Sequence, residues 1–242
     1  MESQSITTTI TYAALVLLPL ILLLSIRTFS VLQQTKSNRT KKTYLNTSKR
    51  TRPVKTLAVL GSGGHTTEML RLLSSISTSH HDQYQPLNYI IAATDTTSQN
   101  RIDAFQKITP NSPPPHSHIF EIPRAREVGQ SYFTSIFTTL HSILYTAHIV
   151  LLRTRPDVLI VNGPGTCIPV VLWTFVGRVL GLCEGKIIFC ESFCRVKTLS
   201  LTGNILWKMG IVDLFLVHWP EILEKINGGN DGMILMDSFI RH

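Results

Sequence analysis

Apolar residues fall into three patterns along this chain, and each predicts a different element. The first is one long stretch. No charged residue occurs from Ser3 to Ile26, and Ile6 to Ile26 is mostly Ile, Leu, Val, Ala and Thr. At about 1.5 Å per residue, a helix of that length reaches roughly 30 Å, the hydrocarbon thickness of a bilayer. Pro19 lies inside it, which membrane helices tolerate. The second pattern is a series of short apolar runs, each reading as a buried strand. They are "KTLAVL" (55–60), "LNYIIAATD" (87–95), "HSHIFEIP" (116–123), "DVLIVNGPG" (157–165), "KIIFCES" (186–192) and "DLFLVHW" (213–219). The third is helical spacing. Met69, Leu72, Leu73 and Ile76 follow the first run, and further helices are predicted at about 132–152, 167–181 and 203–210.

Short all-apolar strands that alternate with helices mean a parallel sheet covered on both faces. Six of them predict an α/β, Rossmann-like doubly wound parallel sheet with strand order 3-2-1-4-5-6. The chain then divides into a short N-terminus (1–5), a transmembrane anchor (6–26), a juxtamembrane linker (27–53) and one domain (54–242). In such sheets ligands bind beyond the carboxyl ends of the strands, where the order reverses. The segments "GSGGHT" (61–66), "NGPGT" (162–166) and "CESFCR" (190–195) leave strands one, four and five at that edge.

Charge sharpens the N-terminal reading. Nine bases and no acid lie between Arg27 and Lys55, while the rest of the body carries 14 bases and 14 acids. The net charge of +8 therefore belongs to the linker, and it gives no reason to expect a nucleic acid partner. Positive residues stay cytosolic, which puts the N-terminus in a lumen and the body in the cytosol. A basic run beside a membrane also attracts anionic lipid. A cleaved signal peptide fits poorly, because no positive segment precedes the apolar stretch and no small-residue cleavage site follows it. The four cysteines, Cys167, Cys183, Cys190 and Cys194, form no C-x-x-C pair, which argues against zinc, and a cytosolic body keeps them as reduced thiols. Neither metal nor cofactor is expected.

The candidate chemistry begins in the glycine loop: Gly61, Ser62, Gly63, Gly64, His65 and Thr66. Thr66 stands where a dinucleotide fingerprint needs its last glycine, and no lysine follows to make a Walker loop. What remains is a phosphate or pyrophosphate cradle, made of glycines and the amides of a helix start. His65 is the candidate acid or base. Glu191 is the carboxylate of the strand-five loop, a candidate base or sugar-hydroxyl acceptor. Gly163, Gly165, Thr166 and Arg195 complete the binding set. An alternative reading is a membrane-tethered NAD(P)-dependent oxidoreductase, with Asp95 on the ribose. Asp95 lies farther along the chain than the roughly 20 residues usual for that role.

The motifs "LGSGGHTTEM", "VNGPGTCIPV", "CESFCRVKTLSLTG" and "DLFLVHWPE", in that order behind an N-terminal anchor, support a more specific reading. From about Val54 onward the chain resembles the membrane-anchoring subunit of a eukaryotic glycosyltransferase. That two-subunit enzyme transfers N-acetylglucosamine from UDP-N-acetylglucosamine to dolichyl-diphosphate N-acetylglucosamine. The family is related to bacterial lipid-linked glycosyltransferases of GT-B architecture, built from two Rossmann-like halves. Their Gly-Gly-His loop is matched by Gly63, Gly64 and His65. Of their histidine-glutamate-glutamine-asparagine segment, Glu191 carries over, and Cys190, Ser192 and Phe193 depart from it. The resemblance implies an acceptor-binding half at the endoplasmic reticulum and contiguous nuclear membrane, with its body on the cytosolic face. It also implies that this subunit is inactive alone and recruits a soluble, donor-binding catalytic partner. The apolar tail 233–242 is the expected docking segment, and folding back as a final strand is its alternative.

Overall fold

The structure, a computed structural model, describes residues 2–40, 52–80, 84, 86–108, 117–123, 132–163, 165–227 and 233–235. Seven parallel strands make one sheet, in the order β3-β2-β1-β4-β5-β6-β7. They are β1 (Thr56–Val59), β2 (Leu87–Ala92), β3 (Ile119–Ile122), β4 (Val158–Asn162), β5 (Lys186–Cys190), β6 (Leu214–Val217) and β7 (Met233–Leu235). The six expected strands and their order are all present. The seventh comes from the tail: Met233, Ile234 and Leu235 pair with Phe215, Leu216 and Val217. The first apolar residues of the tail therefore complete the chain's own sheet, and 236–242 lie outside the described residues.

Side chains alternate across the sheet and feed two cores. Ala58 and Leu60 point to one face, where they meet Met69, Leu70 and Leu73 of α2 (Gly64–His80) and Ile102 of α3 (Thr96–Ile108). Leu57 and Val59 point to the other. There they join Val170 and Val171 of α5 (Cys167–Val179), Leu206 of α6 (Leu201–Met209) and Ile222 of α7 (Pro220–Asn227). The helices α2 and α5 thus leave β1 and β4 on opposite faces. A crevice between the two strands follows.

The helix expected over 132–152 is α4 (Tyr132–Ala147), continued by a π-helical stretch, His148–Thr154. Its exposed residues include Phe137, Leu140, Leu144, Tyr145 and, in the π-helical stretch, Leu152, with His141, His148 and Arg153 exposed among them. Helix α5 shows the reverse, with Val170, Val171, Thr174, Gly177 and Arg178 buried in the body.

The N-terminal helix departs from the sequence reading. Helix α1 runs unbroken from Glu2 to Thr40, through the boundary expected at residue 26. The stretch Leu15–Arg39 is apolar enough to cross a membrane. Its last turns are docked rather than free. Val31 and Thr35 are buried, Leu32 joins a core, and Arg27 donates to the Val179 carbonyl. Asn38 and Arg178 both donate to Asp213, Arg178 with bonds of 2.9 Å to each carboxylate oxygen. The Arg178 guanidinium also reaches Gln34, at 3.2 Å. Arg39 donates to the Val212 carbonyl and stacks over Trp207. Half of the expected linker is therefore part of the folded body, and 41–51 lie outside the described residues.

Candidate functional site

A cavity of about 550 Å³ opens at the carboxyl ends of β1, β4 and β5. Gly64 and His65 border it from α2, Gly163 and Gly165 from the β4 loop, and Glu191, Ser192, Cys194 and Arg195 from the β5 loop. The three segments singled out from the sequence meet there. Gly63 has a φ of +68°, and a side-chain carbon at Gly63 or Gly64 would touch no other atom. The backbone at the amino end of α2 therefore faces open space, where unsatisfied helix amides attract an anion.

His65 is held by its surroundings. A Cβ at Gly163 would stand 2.6 Å from the imidazole Cε1, so only a glycine lets the β4 loop lie against that ring. Gly163 also has a φ of +63°. Asn162 at the end of β4 donates to the His65 carbonyl, at 2.7 Å. The ring Nδ1 stands 3.6 Å from a carboxylate oxygen of Glu68. That distance is too long for a good hydrogen bond and becomes a charge pair only when the ring is protonated.

Glu68 is a residue the sequence reading missed. Besides facing His65, it accepts from the Ser192 hydroxyl at 3.1 Å and the Phe193 amide at 3.3 Å. It therefore bridges α2 to the β5 loop across the crevice. Burial raises its carboxyl, but His65, Ser192 and Phe193 outweigh that and hold it below the usual 4.5. An acid one helical turn after His65, in "GGHTTEM", was the available signal. On an amphipathic helix it reads as an ordinary solvated charge.

Glu191 is placed differently from the expectation. It is 1 % exposed, and both oxygens are occupied by its own loop. One accepts from the Ser192 amide, and the other from the amide and hydroxyl of Ser200. Ser200 in turn caps α6 by accepting from Gly203. Burial pushes the Glu191 carboxyl above 4.5, against the pull of Ser200, Ser192 and Arg195. The geometry makes Glu191 a brace that shapes the 191–200 loop. Arg195 remains exposed on the cavity wall.

The Thr66 side chain leaves the binding set. It is fully buried, and its hydroxyl bonds to the Gly61 carbonyl and to Ser98. Thr166 is the helical residue before α5 and caps nothing with its side chain. Ser62 is exposed beside the glycines, and Gly61 is buried at the end of β1. Arg101 of α3, also missed, braces the loop by donating to the Gly63 carbonyl and the Thr67 hydroxyl. Asp95 is buried and caps α3, accepting from the Thr97 hydroxyl and from the amide and hydroxyl of Ser98. It is closed to a ribose, which removes the support for the oxidoreductase reading.

Cys167 and Cys190 lie in the cores, and burial pushes both thiols up to about 12, so they pack rather than react. Among the described residues no cluster of His, Cys, Asp and Glu has the geometry of a metal site.

Comparison with known proteins gives the family. The profile described as "Oligosaccharide biosynthesis protein Alg14 like" matches residues 56–231, which takes in all three crevice segments. The chain belongs to the Alg14 family. The UDP-N-acetylglucosamine transferase subunit ALG14 of Homo sapiens is 43% identical over 173 residues, covering 70% of this chain and 77% of that protein. Its counterpart from Candida albicans is 41% identical over 167 residues, covering 69% and 71%. That of Schizosaccharomyces pombe is 40% identical over 171 residues, covering 70% and 77%. A solved structure of LpCGTa in complex with UDP aligns with 75% of this chain and 52% of its own, at 14% identity and a TM-score of 0.42. At that score the likeness decides nothing, and membership of the Alg14 family rests on sequence.

Proposed function

We propose that this chain is the acceptor-binding, membrane-anchoring subunit of an N-acetylglucosaminyltransferase, and that its crevice holds a dolichyl-diphosphate N-acetylglucosamine. The observation that carries this reading is the open glycine loop at the amino end of α2, in a chain whose relatives are named as UDP-N-acetylglucosamine transferase subunits. The acceptor diphosphate lies against the amides of 63–66, with Arg195 facing it across the cavity. His65, oriented by Glu68 and by the flat wall of Gly163, takes the proton of the attacking sugar hydroxyl. The hydroxyl oxygen bonds to the anomeric carbon of the donor, and UDP leaves with the electrons of the broken bond. Glu191 keeps the loop above the acceptor in shape.

A soluble partner supplies the UDP-N-acetylglucosamine site, and the subunit alone is inactive. The anchor α1 places the body on the cytosolic face of the endoplasmic reticulum and contiguous nuclear membrane. The exposed apolar residues of α4 make a second, in-plane contact with the bilayer, in the manner of interfacial helices. Because Met233–Leu235 belong to β7, partner docking falls to the rest of the tail, 236–242.

A transfer assay tests the reading, using UDP-N-acetylglucosamine and a lipid-diphosphate acceptor with and without the soluble partner. Product is expected only with both chains. Bulky substitutions at Gly63 or Gly64 should abolish it at limiting acceptor while the two chains still co-purify. Full activity of those variants would overturn the assignment of the loop.

A further inference from the structure

The amino ends of the strands, opposite the crevice, carry a second concave site. A basin of about 580 Å³ is walled by Arg27 of α1, Arg52 and Lys55 before β1, Arg155 and Asp157 before β4, and Glu184 and Lys186 before β5. Arg178 also borders it, but its charge is neutralised by Asp213. Arg52 is similarly occupied, at 2.9 Å from Glu184 and 3.7 Å from Asp157. That leaves Arg27, Lys55, Arg155 and Lys186 with no carboxylate in salt-bridge range among the described residues, around one concavity. The segment 41–51, which joins α1 to Arg52, carries four further bases and no acid, so it brings no countercharge.

Two features set this basin apart from a merely solvated basic surface. Arg155 is the single non-glycine residue of the described chain with a left-handed backbone, at φ 42° and ψ 63°. Glycine or asparagine would adopt that conformation more cheaply at the end of a helix. Arg155 closes the π-helical stretch, its amide donating to the Val150 carbonyl and its Nε to the Leu151 carbonyl at 2.9 Å, so the guanidinium is fixed at the basin wall. Position is the second feature. Arg27 is the first charge after the uncharged segment 3–26, so the basin wall begins where the apolar span ends.

We propose that this basin binds a phosphate monoester, and that its source is the headgroup of an anionic lipid in the leaflet that α1 crosses. Four bases of mixed type around an open hollow suit the several oxygens of a phosphate. Arginine binds them in a fork and lysine as a point charge. This inference rests on α1 as the membrane anchor but not on the chemistry of the crevice, because none of these residues lines it.

The test uses the full-length chain in neutral detergent and measures binding of labelled dioctanoyl phosphatidic acid, with dioctanoyl phosphatidylcholine and glycerol phosphate as the other two arms. Phosphatidic acid should bind and weaken with added salt, and phosphatidylcholine should not bind. Tighter binding of phosphatidic acid than of glycerol phosphate identifies a lipid headgroup. Equal binding identifies a soluble phosphate ester in the same site. Arg155→Gly separates charge from folding, because glycine suits the left-handed backbone and the variant should melt no lower than the parent. It should nevertheless bind at least about tenfold more weakly, and Lys186→Gln should do the same. Undiminished binding by both variants, or equal affinity for phosphatidylcholine, would overturn the site.

Discussion

The two ends of the sheet are both held by buried carboxylates, but in opposite settings. At the amino end Asp213 has a full cationic partner: Arg178 grips both its oxygens, and Asn38 and the Ile187 amide also donate to it. At the carboxyl end Glu191 is just as buried, yet only neutral donors fill its shell. The first arrangement welds α1 to the body. The second keeps a charge away from water without a matched cation, which leaves the loop above the crevice easier to disturb.

The sharpest way to separate the ends is through activity. His65→Ala should lower transfer by about 10²–10⁴-fold if it takes the hydroxyl proton, as general bases do. Gly163→Ala should approach that loss without removing any functional group, because its methyl would collide with the imidazole. Both variants should leave α1 docked, which a protease-protection assay of residues 27–40 can confirm. Equal activity of Gly163→Ala and the parent chain would detach the ring from the mechanism.

Stability separates them next. Asp213→Ala leaves Arg178 buried and unpaired, and it should cost about 3–5 kcal/mol in chemical denaturation. Glu191→Gln keeps the shape but turns an amide donor toward one set of donors. It should cost about 1–3 kcal/mol and reduce activity through the loop. If the Glu191 variant proved the more damaging, the contrast between the ends would fail.

Truncation probes the anchor. Removing 1–26 spares Val31, Gln34, Thr35 and Asn38, so the body should fold as before. It should also leave membranes only in part, because the α4 side with Phe137, Leu140 and Leu144 remains. Flotation in low salt measures this, and complete solubility would remove the second contact.

The smallest effect is one of pH. Glu68 sits below its ordinary 4.5, so its support of the Ser192–Phe193 bridge is fully present above 4.5 and is lost as pH falls through the lowered value. Glu191 sits above 4.5, so its contribution is fully present below 4.5 and is lost as pH rises through the raised value. Acidification should therefore protonate Glu191 first and loosen the loop only later, when Glu68 follows. Amide exchange at Phe193, followed downward from neutral pH, would show that order.

The sheet was legible because buried parallel strands are written as short apolar runs, and all six such runs formed strands. The seventh, Met233–Leu235, could be read only as the alternative to docking, because three residues show no pattern until the β6 edge is there to pair with them. The docked half of α1 was hidden by its charges. Arg27, Lys36 and Arg39 read as a solvated tether, while the residues that bury, Val31 and Thr35, are few and spaced one turn apart. At the crevice, the positions of the glycines and His65 could be read because the loop leaving β1 falls at the carboxyl edge where the strand order reverses. Glu68, Arg101 and the bracing role of Glu191 could not, since each depends on a partner more than eight residues away in the chain.

The unbroken path of α1 has one more consequence. A flexible tether would let the body tumble above the bilayer, so that the crevice met lipid at every angle. A helix continuous from the apolar span into the core of the body removes that freedom, leaving lateral drift and rotation about the membrane normal. The search for a lipid-borne reactant then takes place in two dimensions. Turnover should follow the mole fraction of acceptor in the membrane and be indifferent to its bulk concentration, so adding inert lipid should slow the reaction as surely as withdrawing substrate.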